Sequence, residues 1–305
     1  MGCPLHPQTR GRSRAVGDAM TAGATSTGEG LLYVVATPIG NLGDMSPRAI
    51  EVLQSADLIA AEDTRHSGRL LAHFNIGTAC VALHEHNERR AAPELVARMQ
   101  AGAVIALISD AGTPLLSDPG YVLVRAAVDA GIVVLPVPGA SAMLAALSVS
   151  GLATDRFVFE GFLPSRSGPR QRRLGEIRAD TRTLLFYEAP HRLLETLTDM
   201  SAVLGGQRRA VLARELTKRF ETVLHGSLEQ LRDRLLGGEE HRGECVLLVA
   251  GAEEAETGDE QVQRILEVLG EELPASKAAA LAARITGRKR KPLYEQLLAM
   301  RSQSG

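Results

Sequence analysis

The sequence is poor in the residues that build disulfide-bonded or zinc-bound scaffolds. It contains three cysteines, Cys3, Cys80 and Cys245, which are far apart and form no C-x-x-C pair. This spacing argues against a disulfide framework and a thiolate zinc site, and it is typical of proteins in a reducing compartment. We therefore expect a cytoplasmic protein.

Long apolar runs are also absent. No segment approaches the roughly 20 apolar residues that a membrane-spanning helix requires. Residues 1–30 are rich in Gly, Ser, Thr and Arg and lack the apolar core of a signal peptide, so we predict a disordered tail there. The chain is 45% hydrophobic over 305 residues, which is enough for two ordinary domains and a small additional unit.

The chain has little net charge and few aromatic residues. Its formal charge is −2, and only 3% of its residues are aromatic. Basic residues nevertheless cluster at Arg166 to Arg173 and at Arg284 to Lys291, while acidic residues concentrate between Glu253 and Glu272. Each basic cluster is either a phosphate-binding surface or an ordinary solvated surface, because local charge decides such contacts.

Apolar strand-like runs alternate with amphipathic segments, which predicts an α/β fold. Residues 31–140 form the predicted N-terminal domain with a largely parallel sheet, and residues 141–251 form a second α/β domain with mixed strands. Residues 252–305 comprise an acidic linker and a helix-turn-helix-like appendix. The appendix has a predicted N-cap at Ser276, a stop at Gly287 and a second helix starting near Pro292. The predicted strands are Leu31–Ala36, Asp57–Ala61, Val104–Ile108, Ile132–Val137, Phe157–Gly161, Thr183–Glu188, Ala210–Arg214 and Cys245–Ala250.

Three loops rich in Gly and Pro follow predicted strands of the N-terminal domain. They are ATPIGNLGD at Ala36 to Asp44, SDAGTPLLSDPG at Ser109 to Gly120, and PVPGASA at Pro136 to Ala142. None matches the G-x-G-x-x-G or P-loop fingerprints. Because parallel strands end at one edge of a sheet, where open α/β sheets bind ligands, one common ligand would explain all three loops.

Charged residues follow other strands. The segments are AEDTR at Ala61 to Arg65, FYEAPHR at Phe186 to Arg192, and ARELTKRFE at Ala213 to Glu221. Such residues either position an acceptor hydroxyl and take its proton or form structural ion pairs. His84 and His86 would face one side of a strand, but no third ligand is evident, so we expect no metal site.

In this order, TPIGNLGD, LIAAEDTRHSG, SDAGTPLLSDPGY, FYEAPHRL and ARELTKRFE resemble the ribosomal RNA small subunit methyltransferase I family. The resemblance covers about Leu31 to Gly251, with a weaker similarity to Leu298. It implies a two-domain fold of the tetrapyrrole-methylase type, with S-adenosylmethionine in the cleft between the domains. It also implies methylation of a cytidine ribose 2′-hydroxyl in the decoding centre of 16S rRNA, within the small ribosomal subunit, by a homodimer.

The resemblance also implies site residues. The cofactor contacts that it implies are Pro38, Ile39, Gly40, Asn41, Asp110, Ala111, Gly112, Thr113, Pro114, Gly139, Ser141, Ala142, Tyr187, Arg214, Glu215 and Leu216. Our hypothesis is that Glu62, Asp63, Arg65 or Lys218 orients the ribose hydroxyl and stabilises its developing charge. Few aromatic residues are available for stacking, so we predict RNA binding through the Arg166 to Arg173 loop and the Arg288 to Lys291 turn.

Two alternatives stay open. One is a carbon methyltransferase acting on a tetrapyrrole, because a shared fold does not fix the acceptor. The other is a ribosome-assembly or RNA-binding factor without catalysis, whose loops bind RNA and no cofactor.

Overall fold

The computed structural model describes residues 30–238, 243–253 and 259–303, which divide into two compact units. Unit 1 contains residues 30–38 and 42–140, and unit 2 contains residues 39–41 and the described residues from 141 onward. The tail predicted over residues 1–30 lies outside the described residues except for Gly30. So do residues 254–258 of the acidic linker predicted at the start of the segment 252–305.

Unit 1 is a five-stranded parallel sheet in the order β3-β2-β4-β1-β5. All five strands therefore end at the same edge. Its elements are β1 Leu31–Val35, α1 Pro47–Ser55, β2 Leu58–Ala61, α2 Thr64–His73, β3 Cys80–Ala82, α3 Glu88–Gln100, β4 Val104–Ile108, α4 Tyr121–Asp129 and β5 Val133–Val137.

Both faces of this sheet are buried, which explains why its central strands are almost continuously apolar. Leu53 of α1 and Leu71 of α2 pack on one face, in a cluster with Ile59 of β2. The helices α3 and α4 supply the core of the other face, for example through Leu95 and Leu123.

Unit 2 carries a mixed five-stranded sheet in the order β6-β7-β10-β8-β9. Strands β6 and β7 are parallel, whereas β10 is antiparallel to both β7 and β8, and β9 is antiparallel to β8. The carboxyl ends of β6, β7 and β8 therefore lie at one edge. The elements are α5 Ala142–Val149, β6 Phe157–Phe162, α6 Ser167–Glu176, β7 Thr183–Glu188, α7 Leu193–Leu204, β8 Arg209–Arg214, β9 Thr222–Ser227, α8 Leu228–Leu236 and β10 Cys245–Val249.

The helices α6, α7 and α8 bury one face of this sheet. Phe186 and Leu247 from the strands pack with Leu174, Leu197 and Leu231 from the three helices. A capping box begins α8, in which Ser227 and Gln230 exchange side-chain and backbone hydrogen bonds. The prediction of an α/β fold with mixed strands in its second half is confirmed.

Three helices end the described chain: α9 Asp259–Glu272, α10 Ala275–Thr286 and α11 Arg290–Gln303. They share a small core of their own, which includes Leu266, Ala279 and Leu293. Gly287 ends α10 in a left-handed conformation with φ 71°, as predicted.

One predicted bound in this segment is wrong. The N-cap of α10 is Pro274 and not Ser276, because Pro274 has a non-helical ψ of 140° and Ser276 lies within the helix. The next helix begins at Arg290, near Pro292 as predicted, and proline is tolerated there because it fits the first turn of a helix. None of the described helices combines the length and hydropathy needed to cross a membrane.

Candidate cofactor-binding and active site

Two of the Gly/Pro loops are fastened together at the carboxyl edge of unit 1. Thr37, which follows β1, and Gly112, which follows β4, exchange backbone hydrogen bonds of 2.8 and 3.1 Å. The buried Thr37 hydroxyl also donates to the Ser109 carbonyl at 3.2 Å. These bonds hold the two loops in a fixed relation, which a binding site requires.

The third loop is tied to the same edge. The Thr113 hydroxyl donates to the Ala140 carbonyl at 3.1 Å. Gly139 lies so close to the first loop that a Cβ there would be 3.0 Å from the Cβ of Ala36. The convergence expected from the parallel sheet is thus present in unit 1.

The loop between β4 and α4 has an unusual backbone. Leu115 and Ser117 adopt positive φ values of 73° and 69°, which non-glycine residues rarely do. Such strained conformations concentrate at functional loops. Buried Glu88 closes the loop, since its Oε1 accepts hydrogen bonds from the backbone N–H groups of Gly120, Val122 and Leu123 at 2.8–3.2 Å.

Carboxylates crowd the same edge. Glu62 Oε2 accepts a hydrogen bond of 3.4 Å from the Asp110 N–H, and Asp110 Oδ1 accepts one of 3.2 Å from the Asp63 N–H. Burial raises the pKa of Glu62, and the Asp110 and Asp63 carboxylates add to this effect. Burial and the neighbouring Glu62 raise the pKa of Asp118 to about 6, despite a hydrogen bond from Ser109. Glu62 and Asp118 therefore hold their protons more tightly than exposed carboxyl groups do.

In unit 2, the segment Ile39–Asn41 meets the turn that follows β8. A Cβ on Gly40 would lie 2.3 Å from Cγ of Lys218, so the Lys218 stem requires glycine at this position. The Lys218 ammonium forms ion pairs of 3.0 Å with Glu215 and 3.3 Å with Glu244. Burial alone would lower the pKa of Lys218, but these two carboxylates outweigh burial and raise it. Lys218 is therefore a fixed cation.

The turn around Glu215 is held just as firmly. Glu215 and Glu244 exchange backbone and side-chain hydrogen bonds of 3.0 Å. Glu215 and Thr217 both have positive φ, at 51° and 66°. A Cβ on Gly243 would overlap the Glu215 carboxylate, at 2.1 Å from Oε1. The RELTK segment thus forms a rigid, strained turn at the edge where β6, β7 and β8 end.

Ser141 begins α5 in unit 2. Its hydroxyl is buried, makes no capping bond, and has no hydrogen-bond partner within the described part of the chain. A buried hydroxyl without a partner is costly, so it indicates a polar group that binds there.

Comparison with known proteins decides the family. The model of the tetrapyrrole (corrin/porphyrin) methylases matches residues 31–232, and that of the RsmI C-terminal HTH domain matches residues 256–301. The ribosomal RNA small subunit methyltransferase I of Pseudomonas aeruginosa is 55% identical over 280 residues, covering 90% of this chain and 99% of the relative. The protein of the same name from Haemophilus influenzae is 52% identical, covering 87% and 95%.

The chain belongs to the tetrapyrrole methylase family.

Within this family it groups with the ribosomal RNA small subunit methyltransferase I proteins, as the sequence motifs predicted. Solved structures agree on the fold. A uroporphyrin-III C-methyltransferase from Thermus thermophilus, in complex with S-adenosylhomocysteine, aligns with a TM-score of 0.52 at 19% identity over 72% of this chain and 97% of that one. A diphthine synthase aligns with a TM-score of 0.54 at 17% identity over 72% and 89%. Membership in a methylase family, together with relatives named as methyltransferases, supports S-adenosylmethionine, the predicted cofactor.

The residues fit this cofactor. The loops of unit 1 offer glycines, backbone carbonyls and carboxylates that suit the amino and hydroxyl groups of S-adenosylmethionine, and the Ser141 hydroxyl in unit 2 needs a polar partner. Tyr187 makes edge-on contacts with two phenylalanine rings, and Arg214, Glu215 and Leu216 lie at or just after the end of β8. The individual cofactor contacts stay predictions.

The four catalytic candidates of this methylase are divided between the two units. Glu62 and Asp63 lie together in unit 1, while Lys218 lies in the ion-paired turn of unit 2. Asp63 caps α2, accepting hydrogen bonds of 2.7 and 3.2 Å from the N–H groups of Arg65 and His66, which hold its pKa below the usual range. Arg65 is exposed on the first turn of α2. Glu62 is therefore the strongest candidate for a base.

Sequence reasoning missed Glu88 and Asp118. The sequence around Glu88 does not reveal its role, because Glu88 caps α4, which begins more than 30 residues later. Asp118 lies within the SDAGTPLLSDPG loop, which was predicted to bind a ligand, but no role was predicted for Asp118 itself. The expected strand position of His84 and His86 is wrong, since both follow β3 in a turn. Among the described residues, no group of three or more His, Cys, Asp or Glu side chains could hold a metal ion.

Proposed function

We propose that this protein transfers the methyl group of S-adenosylmethionine to the ribose 2′-hydroxyl of a cytidine in the decoding centre of 16S rRNA. The observation that carries the proposal is the identity of 55% over 99% of a relative named for methylation of small-subunit ribosomal RNA. The substrate is the small ribosomal subunit, and the protein acts in the cytoplasm as a homodimer.

The chemistry asks mainly for alignment. Bound S-adenosylmethionine supplies an activated methyl group with a good leaving group, so the chain must position the ribose oxygen in line with it and accept a proton. Glu62 fits the role of proton acceptor. It is half-buried, its pKa is raised chiefly by burial, and it caps no helix.

Exposed basic residues bind the phosphates of the RNA. At the junction of α10 and α11, Lys289 and Lys291 are exposed, while Arg290 bonds to the Ser276 hydroxyl at 2.8 Å and holds the start of α10. The predicted Arg288 to Lys291 turn is helical from Arg290 onward, where α11 begins. In the Arg166 to Arg173 cluster, Arg170 is buried against Asp199, and Arg173 pairs with Glu160 and Glu176. Within that cluster, Arg166 and Arg172 are the side chains best placed to contact phosphate.

The decisive experiment is methyl transfer from labelled S-adenosylmethionine to small ribosomal subunits that lack the modification, followed by mapping of ribose methylation. Label on the 2′-hydroxyl of one decoding-centre cytidine supports the proposal. If the protein binds the cofactor but transfers the methyl group to a tetrapyrrole, it is a tetrapyrrole carbon methyltransferase, the first alternative from the sequence. Absence of cofactor binding would favour an assembly factor.

The role of Glu62 has its own test. We expect Glu62→Gln to lower kcat by about 10²-fold or more, because it removes the proton acceptor, while S-adenosylmethionine affinity measured by calorimetry stays at the wild-type value. The exposed Glu51→Gln variant on α1 serves as the matched control. Unchanged turnover in Glu62→Gln would exclude Glu62 as the base.

A further inference from the structure

Unit 2 gathers aromatic rings at one edge of its sheet, in a chain that has no tryptophan and is only 3% aromatic. Phe159 and Phe162 of β6 pack edge-on against Tyr187 of β7, with ring centroids 4.8 and 5.7 Å from that of the tyrosine. Phe159 and Tyr187 are partly buried, whereas 55% of Phe162 is exposed. An exposed phenylalanine held in an aromatic cluster is a typical feature of a binding surface.

The backbone directs this ring. In a regular strand, residues 159 and 162 would point to opposite faces of the sheet. A bulge between Phe159 and Gly161, with Gly161 at φ 66°, shifts the register so that Phe162 pairs with Tyr187. Both phenylalanines then reach the same tyrosine. Bulges of this kind re-aim a side chain at functional sites.

The segment after Phe162 is fixed by two arginines. The Arg192 guanidinium donates to the carbonyls of Leu163 and Pro164 at 2.7 and 3.2 Å, and Arg170 donates to the Ser165 carbonyl at 3.2 Å. Arg170 is itself held by Asp199 at 2.6 Å. These hydrogen bonds hold the backbone next to Phe162 in place. Phe162 would therefore lose little conformational entropy when a ligand covers it.

The surroundings favour a polyanion. Exposed Arg166 and Arg172 follow Phe162, and neither forms an ion pair within the part of the chain that the structure describes. The same sheet edge carries a second exposed ring, Phe220, with the Arg219 guanidinium 5.4 Å from its centroid. Flat aromatic faces combined with arginines suit unpaired nucleotides, whose bases stack and whose phosphates pair with cations.

We propose that Phe162, backed by Tyr187 and Phe159, is a stacking platform for an unpaired base of the RNA substrate, with Arg166 and Arg172 binding phosphates of the same strand. This inference rests on the proposed function, because it presumes that RNA is the substrate. It adds direct recognition of a base to the phosphate contacts expected from the basic clusters.

The test compares side chains of similar hydrophobicity that differ in aromaticity. Binding of the full-length variants Phe162→Leu and Phe162→Trp to a hairpin oligoribonucleotide with an unpaired cytidine loop is measured by fluorescence anisotropy. We expect Phe162→Leu to weaken binding about tenfold, consistent with roughly 1–3 kcal/mol per stacked base, and Phe162→Trp to bind like the wild type. Affinity for S-adenosylmethionine and for a fully paired duplex should stay unchanged.

Phe157 provides the matched control, because it is 38% exposed at the opposite end of the same strand. Phe157→Ala should bind the hairpin like the wild type. If Phe162→Leu binds the hairpin with wild-type affinity, the stacking platform is overturned and the proposed function still stands. The same conclusion would follow if Phe162→Leu altered only self-association in sedimentation, since a second copy would then cover the ring. Failure of the wild-type protein to bind any RNA would overturn the proposed function as well.

Discussion

At the scale of single residues, the candidate site depends on long-range contacts that motifs do not reveal. Gly40 was predicted from its motif as a residue of a ligand-binding loop, but its contact with the Lys218 stem joins two distant segments of the sequence. Similarly, Lys218 looked like a catalytic cation, whereas its two carboxylate partners show that it also holds the RELTK turn in place. Residue types and loops were predictable because they are local properties, but the pairing of side chains was not.

Asp118 should make stability depend on pH. Its pKa is about 6 in the folded protein, against 3.8 as the ordinary value, so the folded state binds this proton more tightly than the unfolded state. The resulting contribution to stability is fully present below about pH 3.8 and is lost as the pH rises through about 6. We expect the unfolding free energy of Asp118→Asn to rise relative to that of the wild type between about pH 4 and pH 7 and to level off above that range, as measured by urea denaturation.

The exposed Glu85→Gln variant is the control for this comparison, since it changes a carboxylate to an amide in a turn of the same unit. A difference between Asp118→Asn and the wild type that stays constant over this pH range would contradict the prediction.

Any side chain at position 40 should lower the stability of the protein. A Cβ at this position would meet Cγ and Cε of Lys218 at 2.3 and 2.7 Å, so the Lys218 stem has to move away from Glu215 and Glu244. We expect Gly40→Ala to lower the free energy of unfolding by about 1–3 kcal/mol, as measured by urea denaturation. It should also weaken S-adenosylmethionine binding in calorimetry. Gly77→Ala is the matched control, because no atom lies within 4 Å of a Cβ built there. Equal denaturation midpoints for the two variants would refute this account.

At the scale of elements, apolar continuity made most strands predictable. Strands β1, β2 and β4 are buried on both faces, so their sequences read as uninterrupted apolar runs. Strands β3 and β9 were missed for a physical reason. The first is only three residues long and partly exposed, and the second lies at the edge of its sheet and includes His225 and Gly226. The sequence signal of these two strands is weak because pairing with the neighbouring strand, and not burial, specifies them.

The pairing of α6 with α7 depends on a buried ion pair. Arg170 is 1% exposed and bonds to Asp199 at 2.6 Å, while Ser167 and Gln171 also donate to the Asp199 carboxylate. We expect Asp199→Ala to lower the unfolding free energy by about 3–5 kcal/mol, because it leaves the buried Arg170 charge with only the longer 3.5 Å contact to exposed Glu195. Chemical denaturation followed by circular dichroism measures this loss.

Removing both charges provides the control. The double variant Arg170→Met with Asp199→Leu should recover much of the stability lost in Asp199→Ala, since apolar residues of similar volume can replace a buried ion pair. If the double variant is less stable than Asp199→Ala, the loss comes from packing and not from the unpaired charge.

At the scale of the whole molecule, net charge and family membership give different information about RNA. A formal charge of −2 predicts no general attraction to nucleic acid. The matches to the methylase model and to the RsmI C-terminal HTH model place an α/β unit pair and a small helical unit in one chain. The order of these parts was predictable from composition and periodicity, but the acceptor was not, because it came only from resemblance. Binding of RNA must then come from local basic surfaces, such as the one at the junction of α10 and α11.

The exposed Lys289 and Lys291 at that junction should set part of the salt dependence of RNA binding. Each phosphate contact that is lost lowers the slope of log K against log salt concentration by about 0.7–0.9, because fewer counterions are released on binding. Lys289→Ala with Lys291→Ala should therefore reduce the slope by about 1.4–1.8 and weaken binding to small subunits at low salt, while S-adenosylmethionine affinity is retained. Arg264→Ala with Lys277→Ala removes the same charge from exposed positions on α9 and α10 and should leave the slope unchanged. Equal slopes for the two double variants would mean that the junction of α10 and α11 contributes only through its overall charge. RNA recognition would then have to lie in the two α/β units.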